Sequence, residues 1–105
     1  MNKYRSHNCS ELRKKDVGSI VHLSGWINKK RDHGNLLFID LRDNYGVTQC
    51  IIDKDNSNFS KLEKIQLETV IRVKGKVLDR SDETINKEIQ TGEIEIAIEN
   101  FDILG

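Results

Sequence analysis

Cysteine is scarce in this chain: Cys9 and Cys50 stand far apart in different contexts. A disulfide scaffold is thereby excluded, and reduced thiols in a cytoplasmic protein are expected. His7-Asn8-Cys9 could supply half of a metal site, but no second pair answers it, so no metal is expected. No apolar run approaches the roughly 20 residues that cross a bilayer, and Met1-Asn2-Lys3-Tyr4 leads into no signal-type segment. No membrane partner is expected. Aromatic residues are few (three Phe, two Tyr and one Trp) and net charge is zero. Proteins that bind single strands generally need several stacking rings and a long basic groove, which disfavours that class. The chain has no phosphate loop, no dinucleotide fingerprint and no nucleophile elbow. It is therefore expected to have no catalytic residues.

What is present fits one soluble domain. The 105 residues are 36% hydrophobic and 32% charged, enough for a single core. Charge is uneven: residues 1–31 hold eight Lys/Arg against Glu11 and Asp16, a net +6, and the remainder is −6. One cationic face is implied, with the rest acidic enough to discourage unspecific sticking.

The most informative stretch runs from Gly25 to Gln49. It reads as two strands joined by a basic tip, Lys29-Lys30-Arg31-Asp32-His33-Gly34, and a third strand after a second turn. In Leu36–Arg42, Leu37, Ile39 and Leu41 share one face, and Leu36, Phe38, Asp40 and Arg42 the other. Phe38 would then be an aromatic platform beside Lys29, Lys30 and Arg31, the chemistry that stacks a base and holds its phosphates. The alternative is that Phe38 belongs to a second small core and the cations are a solvated hairpin tip. The pattern alone favours the second of these readings.

Along the chain, residues 1–9 read as a mobile start, followed by one helical turn with Ser10 as N-cap, closed by Val17-Gly18; residues 1–18 would form an N-terminal extension. The first strand spans Ile20 to about Lys30, with Gly25 marking a bulge or bend and Trp26 placed in the core by its neighbours. Asp43-Asn44-Tyr45-Gly46 is turn chemistry, with Asn44 and Gly46 suited to positive φ. Val47–Asp53 is the third strand. A helix over 58–66 follows, with Phe59, Leu62 and Ile65 spaced three apart and Ser60…Glu63 as a capping box. Thr69 to about Arg80 alternates strictly, 81–92 is a polar loop, and Glu93–Phe101 sets Ile94, Ile96 and Ile98 against Glu93, Glu95, Ala97 and Glu99. Asp40 and Asp43 flank Arg42 and read as local ion pairs, and His22 as surface or rim.

The order β-β-β-α-β-β predicts an all-β fold, a five-stranded Greek-key OB barrel with one helix after the third strand. An SH3-like barrel is disfavoured by that helix. The OB ligand face would gather Lys29, Arg31, Phe38, Gln49, Arg80 and Glu95. A protein-docking face should lack charge at its centre, and this one is polar.

The run Gly25-Trp26-Ile27-Asn28-Lys29-Lys30-Arg31-Asp32-His33-Gly34…Phe38-Ile39-Asp40-Leu41-Arg42-Asp43…Gly46…Gln49 closely resembles the N-terminal anticodon-binding domain of bacterial-type class II aspartyl-tRNA synthetases. Ile85-Asn86…Thr91-Gly92-Glu93-Ile94-Glu95-Ile96 is similar to that family's second signature. Lysyl- and asparaginyl-tRNA synthetases share the Gly-Trp start and the Gly-Glu pair but fit the tip and the Phe-Ile-Asp-Leu-Arg-Asp strand less well.

The resemblance implies a partner, the anticodon loop of aspartate tRNA, and leaves asparagine tRNA open as a second one. Phe38 would stack on the middle anticodon base and Gln49 would hydrogen-bond it. Glu95 would read the first base, a guanine, whose N1–H and N2–H₂ suit a carboxylate. Lys29, Arg31, Arg80 and Asn86 would hold backbone or third-base groups, and His33 would meet the third base. Two departures stand out: Lys29 where many relatives have Arg, and Leu78 and Ile51 where they often have Arg and Phe. The family's catalytic domain, which uses ATP and Mg²⁺, is absent, as if the first domain had been excised. No cofactor is expected here; the parent would be a homodimer and this domain a monomer.

Overall fold

The structure, a computed structural model, describes residues 5–105. Its strands are β1 (Ile20–Asp32), β2 (Leu36–Arg42), β3 (Val47–Asp53), β4 (Val70–Asp79) and β5 (Ile94–Ile103), with helix α1 (Phe59–Lys64) between β3 and β4. They close into a barrel in the order β1-β2-β3-β5-β4. Four seams are antiparallel. The β3–β5 seam is parallel and short, pairing Cys50 with Ile96 and Ile51 with Ala97. Closure removes the bare edges that five open strands would leave. This is the expected OB architecture, with β2 and β3 at their expected bounds.

Alternation with a period of two fixes the interior. Leu37, Ile39 and Leu41 of β2, Thr48, Cys50 and Ile52 of β3, Ile71, Val73 and Val77 of β4, and Ile94, Ile96 and Ile98 of β5 are all buried. Each fully buried Leu or Ile contributes roughly 1.5–3 kcal/mol relative to exposure. Desolvation pushes the thiols of Cys9 and Cys50 far above their ordinary pKa, so both stay protonated.

Within the segment expected to be a mobile start, residues 6–9 are tied down instead. Ser6 N–H donates to the His22 carbonyl at 2.8 Å, Cys9 N–H donates to Asp43 Oδ2 at 2.8 Å, and Thr48 Oγ1 donates to the Cys9 carbonyl at 2.9 Å. Cys9 and Leu12 are fully buried in the core. Residues 1–4 of the expected extension lie outside the described residues. The helical turn is a short 3-10 turn, Lys14–Asp16, with Arg13 rather than Ser10 as N-cap. Asp16 accepts from the Arg13 N–H at 2.9 Å, and Gly18 closes the turn at φ +95.

β1 departs from expectation at Gly25. Val21, Leu23, Gly25 and Ile27 all face inward without interruption, and the bulge falls between Ile27 and Lys29. Gly25 serves a close approach: a Cβ there would lie 2.3 Å from the Arg42 carbonyl oxygen. Trp26 therefore points outward, half-buried beside Glu68 and Val70, and is not a core residue. The bulge inverts the parity that follows, because one extra residue flips every later side chain to the other face. Lys29 and Arg31 consequently pair with Asp40 and Phe38 on the outer surface, while Lys30 pairs with Ile39.

Asn44 and Gly46 do not take positive φ; among the described residues only Gly18, Gly34 and Glu68 do. Asp43 makes that turn by accepting from the Tyr45 and Gly46 N–H groups at 2.8 and 3.0 Å. The acidic residues around Arg42 do not pair with it: Asp40 pairs with Arg31 and Asp43 with Arg5. The helix is shorter than the expected 58–66, but Phe59 and Leu62 of α1 are buried and Ile65, just past its end, packs against the core, as the spacing predicts. The Ser60…Glu63 box is unused, because Asn58 is the N-cap and Ser60 already lies inside the helix. Asn56 secures the helix entry instead, accepting from Asn58 N–H at 2.8 Å and donating to the Ile98 carbonyl at 3.2 Å.

Candidate nucleic-acid interface

Strand register assembles the site. Phe38 lies opposite Ile51 and Asp40 opposite Gln49 across β2 and β3, and Ile51 is paired in turn with Ala97 of β5. Side chains two apart on a strand share a face. Two rows therefore cross the outer surface side by side: Phe38, Ile51 and Ala97, which is apolar, and Asp40, Gln49 and Glu95, which is polar. Ile51, one of the departures from the resembled family's pattern, extends the apolar row beside Phe38.

The polar row is one hydrogen-bonded relay. Arg31 Nη1 and Nη2 donate to Asp40 Oδ2 and Oδ1, each at 3.3 Å, and Nη2 also donates to Gln49 Oε1 at 2.9 Å. Gln49 Nε2 then donates to Glu95 Oε1 at 2.8 Å. The amide orientation follows from its neighbours: a guanidinium offers only donors and a carboxylate only acceptors. Gln49 is 8% exposed, so burial sharpens that requirement.

Phe38 lies outside the core cluster and is half-buried, between Arg31 of β1 and Ile51 of β3 in register. The His33 ring meets it edge-on, with centroids 5.0 Å apart and planes at 68°. The Arg31 guanidinium lies 5.9 Å from the ring centroid, within cation–π range. His33 itself is exposed at the tip, where its N–H donates to the Leu36 carbonyl at 2.9 Å. Gly34 follows at φ +78, a conformation a side chain would strain.

Five of the eight candidates thus come together: Arg31, His33, Phe38, Gln49 and Glu95. Lys29 is exposed on the same face, opposite Asp40 in register, and makes no hydrogen bond or ion pair among the described residues. Arg80 is 7% exposed and clamps the 81–92 loop, its Nε donating to the Ile94 carbonyl and its Nη1 to the Thr84 carbonyl, both at 3.0 Å. Burial pulls its pKa down, while Glu95 and Asp40 act against that and Arg31 with it. Arg80 is therefore coupled electrostatically to the charges of the relay. Asn86 shapes the same loop, its N–H donating to the Gly92 carbonyl at 3.1 Å and its Oδ1 accepting from Glu88 N–H at 3.0 Å.

Lys30 does not join the cationic platform. Its ammonium donates to the carbonyls of Leu62 (3.5 Å), Glu63 (2.7 Å) and Ile65, closing the C-terminal end of α1. Desolvation lowers its pKa, and the Glu63 carboxylate works against that. The residue that sequence reading missed is Asp40, whose signal was its shared parity with Phe38, two positions away. Among the described residues no group of three or more His, Cys, Asp and Glu could hold a metal, and no helix is long and apolar enough to cross a membrane.

A family model for OB-fold nucleic acid binding domains, named for the tRNA anticodon, matches residues 21–104. The chain is 70% identical over 105 residues to the aspartate–tRNA(Asp/Asn) ligase of Pelagibacter ubique, covering all of this chain and 18% of that protein. It is 52% identical over 103 residues to the enzyme of the same name from Zymomonas mobilis, covering 98% of this chain and 17% of that one. The chain thus spans under a fifth of the length of these relatives. Among solved structures, asparaginyl-tRNA synthetase from Pyrococcus horikoshii, complexed with asparaginyl-adenylate, superposes with a TM-score of 0.78 at 24% identity, over 93% of this chain and 22% of that one. That likeness concerns the fold. A closed barrel with an aromatic and amide-bearing outer face, matched by that family model over all five strands, belongs to the OB-fold nucleic acid binding domains of the tRNA-anticodon family.

Proposed function

We propose that this chain is the anticodon-reading part of an aspartate–tRNA ligase that serves both aspartate and asparagine tRNAs. The observation that carries the reading is the relay Arg31–Gln49–Glu95 laid beside the half-buried Phe38 ring, in a chain 70% identical to an aspartate–tRNA(Asp/Asn) ligase. Single-stranded RNA is recognised by stacking splayed bases on aromatic rings and bonding their edges, and these two rows supply both. Phe38 stacks the middle anticodon base and Gln49 bonds its edge. Glu95 keeps Oε2 free of the relay and accepts from guanine at the first position. Exposed Lys29 meets a phosphate, Arg31 and His33 flank the third base, and Arg80 and Asn86 set the loop that borders the site.

The ligation chemistry, with its ATP and Mg²⁺, belongs to the part of the protein outside this chain. That larger protein acts in the cytoplasm as a homodimer, and this domain alone is a monomer. The test is a titration of the protein with a seven-base anticodon loop and with unrelated single strands at equal salt. The cognate loop should bind more tightly, and Glu95→Gln should erode the preference for guanine at the first position. Equal binding of all strands would overturn the reading. An equal loss for every first base would remove Glu95 from it.

A further inference from the structure

Gln49 is held at both ends by charges of opposite sign, and this has a consequence for the base it reads. A glutamine amide has two lone pairs on oxygen and two protons on nitrogen. Arg31 occupies one lone pair at 2.9 Å and Glu95 one proton at 2.8 Å. One lone pair and one proton remain for a ligand. Reversing the amide would set its NH₂ against the guanidinium and its oxygen against the carboxylate, so it cannot reverse without losing both bonds. Arg31 is in turn fixed by Asp40, which accepts from both terminal guanidinium nitrogens.

We propose that Asp40 is a specificity-determining positioning residue: through Arg31 it locks the Gln49 amide in one orientation, and that lock separates uracil from cytosine at the middle anticodon position. This rests on the anticodon reading above. The two pyrimidines have the same shape and differ on the edge. Uracil presents a donor, N3–H, between two carbonyl acceptors, whereas cytosine presents an N4 donor beside an N3 acceptor. With the ring fixed by stacking on Phe38, an amide carbonyl facing N3 bonds uracil and repels cytosine. A freely turning amide would offer its N–H to cytosine N3 instead and bind both. The code gives uracil at the middle anticodon position of both aspartate and asparagine tRNAs, so an amide locked to suit it serves both partners. Asp40 touches no base in this scheme. It acts only by holding Arg31.

The experiment titrates the protein with anticodon loops that differ only in the middle base. Unsubstituted protein should prefer the uracil loop over the cytosine loop by at least about tenfold, the discrimination expected of one good bidentate base contact. Asp40→Asn should collapse that ratio mainly through a gain in cytosine-loop affinity, and Asp40→Glu, which keeps the carboxylate, should restore it. A merely structural role for Asp40 would weaken both loops together, and that result overturns the proposal. If the protein binds no loop better than an unrelated strand, the anticodon reading fails instead, which is a distinguishable outcome. Should Asp40→Asn not fold, the side-chain amide protons of Gln49 are compared by NMR between the unsubstituted protein and Asp40→Ser, which also removes the carboxylate. Slow exchange of the proton directed at Glu95 that quickens in Asp40→Ser supports the lock, and equal exchange in both, or exchange at the rate of a free glutamine in the unsubstituted protein, overturns it.

Discussion

Ile39 and Asp40 are neighbours in sequence and face opposite sides of the same strand. On the inner side, Leu37, Ile39 and Leu41 are held by burial alone, which is non-directional and tolerant of which aliphatic residue fills the space. On the outer side, Asp40 is held by directional bonds to Arg31, in a chain of contacts that fails if one partner is exchanged. The inner face specifies that a barrel forms. On the proposed reading, the outer face specifies what the barrel distinguishes. Substitutions on the two faces should therefore separate stability from selectivity.

The largest effect is expected inside. Ile39→Ala should cost about 2–5 kcal/mol of folding stability, the usual range for a truncated core isoleucine. Denaturant unfolding would measure it, and relative affinities for different loops should hold in the fraction that remains folded. On the outer face, Phe38→Ala should weaken anticodon-loop binding by about 1–3 kcal/mol, the worth of one stacked base. The same denaturant unfolding should move little. If stability falls steeply while affinity per folded molecule holds, Phe38 is a packing residue and the contrast between the faces breaks.

Lys29 and Lys30 repeat the contrast at adjacent positions. Lys30→Met should lower stability by about 1 kcal/mol through loss of charged bonds to the α1 carbonyls, with the salt dependence of RNA binding unchanged. Lys29→Met should leave stability alone and reduce the slope of log affinity against log salt by about 0.7, the value for one phosphate contact on a single strand. Identical behaviour of the two variants would refute the bulge-based assignment of their faces. The smallest effect is expected at His33. A neutral imidazole can donate or accept, so the protein should bind loops ending in cytosine or uracil at the third anticodon position with similar affinity. His33→Leu should shift that ratio toward cytosine. An unchanged ratio would leave His33 a turn residue beside Gly34.

The fold was legible because a period of two is written plainly in β2 to β5, and because Asp, Asn and Gly punctuate the turns. Phe38, Gln49 and Glu95 could be placed on one face from parity within their own strands. The basic tip could not. Parity across β1 depends on where the extra residue falls, and Asn28 has no side-chain signature for a bulge, whereas Gly25 has a misleading one. Burial of Cys9 and Leu12 was illegible for a related reason: single apolar residues in a polar segment acquire their place only from distant partners such as Asp43 and Thr48. The relay likewise needs Gln49 and Glu95, which are 46 positions apart, to meet across β3 and β5.

That meeting point coincides with the short parallel seam, where Cys50 with Ile96 and Ile51 with Ala97 are the paired positions. Few backbone pairs make a seam the natural place for a barrel to breathe, since local opening starts where the fewest bonds must break. The Gln49–Glu95 bond is a side-chain latch across that opening. On the proposed anticodon reading, a strand of RNA seated on Phe38 and the relay would bridge β2, β3 and β5 together, so occupancy would be thermodynamically linked to closure: whatever holds the latch shut should raise affinity, and bound RNA should slow amide exchange along β3 and β5 in return.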